Sequence, residues 1–156
     1  MKIKIIALGK IKEKFLKDGI EEFVKRLKPY VSIEIVELQP IEIKDENLLQ
    51  KVLEQEGAKI LENIKSDSYV ITLEILGKQL SSEEFANKIN EIIISGVGEL
   101  VFIIGSSCGI APIVSQRANF KLSISKMTFL HQFARLLLVE QIYRAFKILK
   151  NETYHK

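Results

Sequence analysis

The chain has 156 residues, 47% of them hydrophobic and 28% charged, with a formal net charge of +3 and one cysteine. That length fits a single domain, residues 1–156, and the apolar content excludes intrinsic disorder. Cys108 has no partner for an internal disulfide, and two histidines argue against a zinc cluster. No run approaches the roughly 18 apolar residues of a spanning helix, and residues 1–8 lack a signal peptide's cleavage site. The expectation is a cytoplasmic protein with neither membrane span nor metal.

Residues 1–8 (MKIKIIAL) alternate and then run apolar, as a strand does. Residues 12–28 place Phe15, Leu16, Ile20, Phe23, Val24 and Leu27 on one helical face, and Pro29 ends that helix. Residues 32–38 (SIEIVEL) alternate as a second strand, and 46–65 form a second amphipathic helix. Residues 69–73 (YVITL) are a short buried strand, followed by a turn around Gly77. Ser81 and Glu84 have capping-box spacing for a helix to about residue 94. Residues 100–104 (LVFII) are another strand, with a short helix at 111–116 and a last strand at 120–124. Residues 131–150 form the final helix. This strand–helix alternation predicts an α/β fold with a mostly parallel sheet flanked by helices.

The final helix is apolar around most of its circumference; Glu140, Gln141, Arg144 and Lys147 make a narrow polar stripe. Such a helix needs cover on more than one side, either from a second subunit or from deep burial in its own chain. Charge is uneven as well. Residues 117–156 hold eight Lys or Arg against Glu140 and Glu152, a balance of +6, leaving −3 for residues 1–116. Either this quarter meets a polyanion such as nucleic acid, or it is a solvated face.

Familiar nucleotide signatures are missing. No G-x-G-x-x-G or G-x-x-x-x-G-K-[ST] occurs, which disfavours dinucleotide enzymes and P-loop ATPases. Cys108 beside His131 or His155 could be a nucleophile, though a small residue in a glycine-rich turn more often just packs. In parallel sheets ligands bind beyond the carboxyl ends of strands. Residues 72–77, 105–109 (GSSCG) and 124–129 could meet there and hold an adenine and a small charged tail through backbone groups, unless the glycines only make turns. Arg135, Arg144, Tyr154, His155 and Lys156 gather cationic, aromatic and titratable groups near the terminus. They suit stacking, phosphate pairing and proton transfer, unless the tail is frayed.

The segments ITLEILGK (71–78), FIIGSSCGI (102–110), LSISKMTFLHQFARLLLVEQIYRAFKI (122–148) and terminal YHK give the chain a further identity. It resembles, over essentially its whole length, the ribosomal RNA large subunit methyltransferase H family of the SPOUT superfamily. The resemblance implies a SPOUT-type α/β knot, with a trefoil thread over about residues 70–156, and a homodimer with its active site at the subunit interface. It also implies methylation of N3 of pseudouridine 1915 in 23S rRNA of the ribosome, with S-adenosylmethionine as donor. Leu73, Gly105, Ile124, Ser125, Lys126, Met127, Thr128 and Phe129 match the family's cofactor-binding positions. His155 and Tyr154 match the tail that closes over the target base, and Arg144 and Arg135 match arginines of the last helix. His155 is the expected base and Arg144 the expected partner of the developing charge. Lys121, Lys126 and Lys147 are expected on rRNA phosphates.

The chain departs from that pattern at three places. Ser106 stands where most relatives have glycine, Leu130 where they have proline, and Thr153 where proline commonly precedes Tyr154. None removes a group needed for methyl transfer. The competing class is a basic dimer that docks on ribosomes without catalysis; a tRNA ribose methyltransferase is disfavoured by the YHK ending.

Overall fold

The computed structural model describes residues 1–155, so Lys156 of the YHK ending lies outside the described residues. Strands β1 (Lys2–Leu8), β2 (Ser32–Leu38), β3 (Tyr69–Gln79), β4 (Glu99–Ile104) and β5 (Phe120–Ser123) form one sheet in the order β2-β1-β4-β3-β5. Every neighbouring pair is parallel, so the sheet is wholly and not just mostly parallel. Helices α1 (Lys14–Leu27), α2 (Leu49–Glu62), α3 (Ser82–Ile94), α4 (Pro112–Arg117) and α5 (His131–Leu149) cover it.

Pleating sorts the helices into two layers. Ile3, Ile5 and Ala7 of β1 face a core shared with α1, α3 and α5, whereas Ile6 and Leu8 face α2 and α4. β4 is buried at every position, as a central strand covered on both faces must be. The capping box forms as expected: Ser81 Oγ accepts the Glu84 N–H at 3.1 Å, and the Glu84 carboxylate accepts the Ser81 N–H at 2.7 Å. The second helix is shorter than its periodicity predicts. Asp45 caps a 3₁₀ turn at Glu46–Leu48 before α2, and the Asn63 side chain closes the far end by donating to the Lys59 carbonyl at 2.9 Å.

β3 departs most from expectation. It pairs with β5 through Ile71–Leu73, leaves the ladder, and pairs again through Lys78 and Gln79, so that Leu122 faces both Leu73 and Lys78. Residues 74–77 bulge out between, and Leu76 at the tip is 98% exposed. Gly77 makes the return possible. A Cβ there would lie 2.8 Å from backbone atoms of Lys121 and Leu122, so only glycine lets the two chains cross so closely.

α5 packs against α1, α3 and the sheet, burying Leu138, Val139, Ile142, Tyr143, Ala145 and Phe146. Its wide apolar surface is thus covered by its own chain and does not by itself require a second subunit. Only Phe133, on the helix, and Phe129 and Leu130 before it remain exposed as large apolar side chains at its start.

Arg135 lies in the α5 joint with the sheet. Its guanidinium donates to Glu37 Oε2 at 2.7 Å and to the Gly9 carbonyl at 2.9 Å, with its side chain 2% exposed. It clamps α5 to the ends of β1 and β2. Losing the two partners should cost unequally, because the half-open Glu37 can rehydrate and the buried guanidinium cannot. Glu37→Gln is expected to cost about 3 kcal/mol and Arg135→Met about 1 kcal/mol, read from urea denaturation midpoints.

Candidate functional site

Three chain segments converge at the carboxyl ends of the strands: the bulge of β3, the turn at 105–109 after β4, and the loop at 124–129 after β5. They enclose a cleft of about 530 Å³, closed on one side by His131 and Ala134 of α5. Apolar walls come from Leu73, Ile104, Leu122, Ile124, Met127 and Phe129. The volume falls within the usual range for a small-ligand site, roughly 300–1,000 Å³.

Each loop has its own internal brace. Gly105 has no room for a side chain, since a Cβ would lie 2.4 Å from the Gly109 carbonyl oxygen. Gly109 then turns at φ 88°, its N–H donating to the Ser106 carbonyl at 2.9 Å. Ser106 donates its hydroxyl to Glu56 Oε1 at 2.9 Å and accepts the Cys108 N–H at 3.2 Å. Glu56 is 1% exposed, and its other oxygen accepts the Ile41 N–H at 3.1 Å. The serine therefore ties the turn to α2. In the third loop, Ser125 Oγ accepts the Met127 N–H at 3.0 Å, and Ser123 Oγ donates to the Ser125 carbonyl at 3.0 Å.

Seven of the eight expected cofactor residues line this cleft: Leu73, Gly105, Ile124, Ser125, Met127, Thr128 and Phe129. Lys126 shares the loop, yet it is exposed and outside the lining. Glu74 is the one carboxylate in the wall, and no Lys or Arg lines it among the described residues. Cys108 is outside the lining too, and no imidazole hydrogen-bonds to it, which leaves its packing role.

The second cluster is the tail. Asn151, at φ 52°, reverses the chain after α5; its N–H donates to the Ile148 carbonyl at 3.0 Å and that of Glu152 to the Lys147 carbonyl at 2.9 Å. This Schellman turn sends residues 152–155 back along the helix. Tyr154 packs edge-on to Tyr143 at 4.9 Å, donates to Glu140 Oε1 at 3.0 Å and lies under the Arg144 guanidinium at 4.7 Å. Burial, then the bond to Glu140, raises its pKa, so the phenol stays protonated at neutral pH. Arg144 also donates to Glu140 Oε1 at 3.1 and 2.6 Å and meets His155 Nδ1 at 3.3 Å. His155 Nε2 reaches Glu83 Oε1 at 2.6 Å. Arginine can only donate, which makes Nδ1 the acceptor and leaves Nε2–H to donate to Glu83.

The structure thus joins Arg144, Tyr154 and His155 and separates Arg135, which is buried about two and a half helical turns from Arg144. Arg135 cannot reach a base while holding Glu37 and Gly9. Glu83 and Glu74 escaped the sequence reading. Glu83 occupies the first turn of a capped helix, where an acid is expected for capping alone. The signal for Glu74 was its place immediately after a buried strand, on the same pleat face as Thr72.

The basic quarter is also partly spent inside the fold. Lys147 pairs with Glu152 and contacts the Tyr30 hydroxyl, which withdraws it from the set expected on phosphate. Arg117 donates to the carbonyls of Lys65, Ser66 and Ser68. Lys121, Lys126 and Lys150 are exposed. No helix among the described residues is long and apolar enough to cross a membrane.

His131, at the cleft wall, has its pKa lowered from 6.5, first by burial and then by the charge of Arg135. Its folded pKa is below the unfolded one, so its contribution to stability is full above pH 6.5 and fades as pH falls through the folded value. A ring-proton NMR titration should give a midpoint below 6.5. His131→Gln should flatten the loss of denaturant stability over that acid window.

Known proteins resemble the chain from end to end. The family described as "Predicted SPOUT methyltransferase" matches residues 1–155. Proteins of Methanococcus maripaludis and Methanococcus vannielii, each named "Putative ribosomal RNA large subunit methyltransferase H", are 49% and 50% identical, with both chains covered completely. Ribosomal RNA large subunit methyltransferase H of Carboxydothermus hydrogenoformans is 51% identical over 160 residues, again covering 100% of both. The wholly parallel α/β sheet, the strand-end cleft and this full-length similarity agree, and the chain belongs to the SPOUT methyltransferase family.

Proposed function

We propose that the chain methylates N3 of pseudouridine 1915 in 23S rRNA, using S-adenosylmethionine and acting as a homodimer on assembled ribosomes in the cytoplasm. The observation that carries this reading is the chemistry of the cleft wall. It is apolar, has one carboxylate, and has no Lys or Arg among the described residues. That suits a nucleoside bearing a positive charge and no phosphate, and it fits poorly with ATP or a dinucleotide. Leu73, Ile124, Met127 and Phe129 would hold the adenine, with Gly105 and the loop at 124–129 against the remainder.

When bound, the cofactor supplies a methyl group on a sulfonium, an excellent leaving group that departs as a neutral thioether. What remains for the protein is orientation and removal of the N3 proton. His155 has the required lone pair on Nδ1, now capped by Arg144. Transfer of Arg144 from Nδ1 to a carbonyl of the base would uncover that lone pair and place a cation beside the developing charge. Glu83 orients the ring through Nε2 and would stabilise the imidazolium. Tyr154 and Glu140 hold Arg144 in reach.

Cleft and tail lie too far apart to meet within one chain. From His131 to Arg144 the helix rises roughly 20 Å. A second copy bringing its tail to the first copy's cleft closes that gap, and the exposed Phe129, Leu130 and Phe133 offer apolar surface beside the cleft.

Three outcomes are expected. His155→Ala should slow single-turnover methylation of ribosomes about 10²–10⁴-fold with S-adenosylmethionine affinity unchanged; a rate within about threefold of wild type refutes the base assignment. Mixing inactive His155→Ala and Gly105→Val chains should restore about a quarter of the activity, since half of randomly paired dimers hold one intact site. Lys126→Ala should reduce the salt dependence of ribosome binding by about one phosphate contact, whereas Lys147→Ala should leave it unchanged. Calorimetry showing no binding of the methyl donor would instead favour the non-catalytic adaptor.

A further inference from the structure

Glu74 is the cleft's single carboxylate, and its setting is unusual. It lies at the start of the β3 bulge, half-buried, in the wall of the cleft. Thr72 Oγ1 donates to its Oε1 at 2.7 Å and Ser115 Oγ donates to its Oε2 at 3.2 Å. Both oxygens are therefore fixed by neutral hydroxyls, one from β3 itself and one from α4. None of the ion pairs among the described residues includes it. The other titratable side chain in the wall is His131. A carboxylate held by two hydroxyls keeps further lone-pair sites for a ligand. Its charge acts through an apolar cleft, where attraction to a cation is stronger than in water.

We propose that Glu74 is the specificity-determining residue that makes the cleft prefer the charged methyl donor over its own neutral product, an inference that rests on the methyl-donor reading above. Methyl transfer breaks the carbon–sulfur bond with the electron pair left on sulfur, and the methyl bonds to nitrogen as its proton leaves. Sulfur thereby loses its positive charge. A wall charge of −1 loses its attraction at that step, and the spent cofactor is held less tightly than the donor it replaces. Thr72 and Ser115 are positioning residues that keep the carboxylate from swinging into solvent.

Isothermal titration of wild-type and Glu74→Gln chains with S-adenosylmethionine and with S-adenosylhomocysteine tests this. Glutamine keeps the size and can still bond Thr72 and Ser115, so only the charge is lost. Donor affinity should fall about tenfold while affinity for the thioether changes less than twofold. Glu74→Asp should restore most of the preference. Equal weakening for both ligands, or no change for either, overturns the proposal and leaves the methyl-donor reading standing. A wild-type chain that binds neither ligand overturns that reading itself. Should Glu74→Gln fail to fold by circular dichroism, Glu74→Ala decides in its place by the same ratio, because the side chain is on a bulge half open to solvent.

Discussion

The bulge of β3 against the end of β5 governs what this molecule can hold. Parallel strands joined by helices end in turns that splay apart, and a small domain has little surface there for enclosing a ligand. Here β3 leaves its ladder after Leu73, bows outward through residues 74–77 and returns across the backbone of Lys121 and Leu122. The bow becomes one wall of a cleft whose other walls are ordinary strand-end turns. A side chain at Gly77 would displace backbone from both segments at once, so the cleft and the end of the sheet stand or fall together.

Two ends of one helix divide the remaining work. The start of α5 closes the cleft with His131 and Ala134, and its far half anchors the returning tail. The two jobs conflict in what they need. The cleft end must be fixed against the sheet, and Arg135 does this by spending its charge on Glu37 and Gly9. At the tail end the charge is not sealed, and Arg144 is shared among Glu140, Tyr154 and His155 near the surface. The same residue type thus serves as a buried rivet at one end and as a shared surface donor at the other, and burial separates the two.

That distinction shows where sequence reading succeeds and where it stops. Periodicity located every strand and major helix, because pleat alternation and helical faces are direct images of burial: Ile3 and Ile5 against Ile6 and Leu8, Phe85 and Ile89 on α3. Ser81 and Glu84 announced their helix start by local chemistry alone. The return of β3 was invisible, since the strand reads as ending at residue 73 with a turn around Gly77 and only the partner strand reveals that Lys78 and Gln79 rejoin the ladder. The apolar circumference of α5 pointed to a partner subunit ahead of burial in its own chain, whereas α1, α3 and the sheet supply most of its cover. Family resemblance supplied both Arg135 and Arg144, and helical spacing put them on opposite sides of α5 with Arg144 preferred; spacing could not say that Arg135 is sealed against Glu37 and Gly9.

The departures at Ser106 and Leu130 can be weighed in the same terms. Glycine at position 106 would leave the turn after β4 held by backbone bonds alone. Serine adds a hydrogen bond to Glu56, and through that buried carboxylate the turn is joined to Ile41 in the segment after β2. A carboxylate so enclosed needs every donor it can find, because an unmet oxygen there costs on the order of 1–3 kcal/mol. Glu56 and Ser106 are therefore best understood as one unit: the serine ties a wall of the cleft to α2, and the cleft turn in turn satisfies one oxygen of a buried carboxyl group. Leu130 works in the opposite sense, since it removes the rigid φ that proline would impose just before α5. The chain thus braces the wall against α2 and leaves the loop at 124–129 freer at its join to the helix.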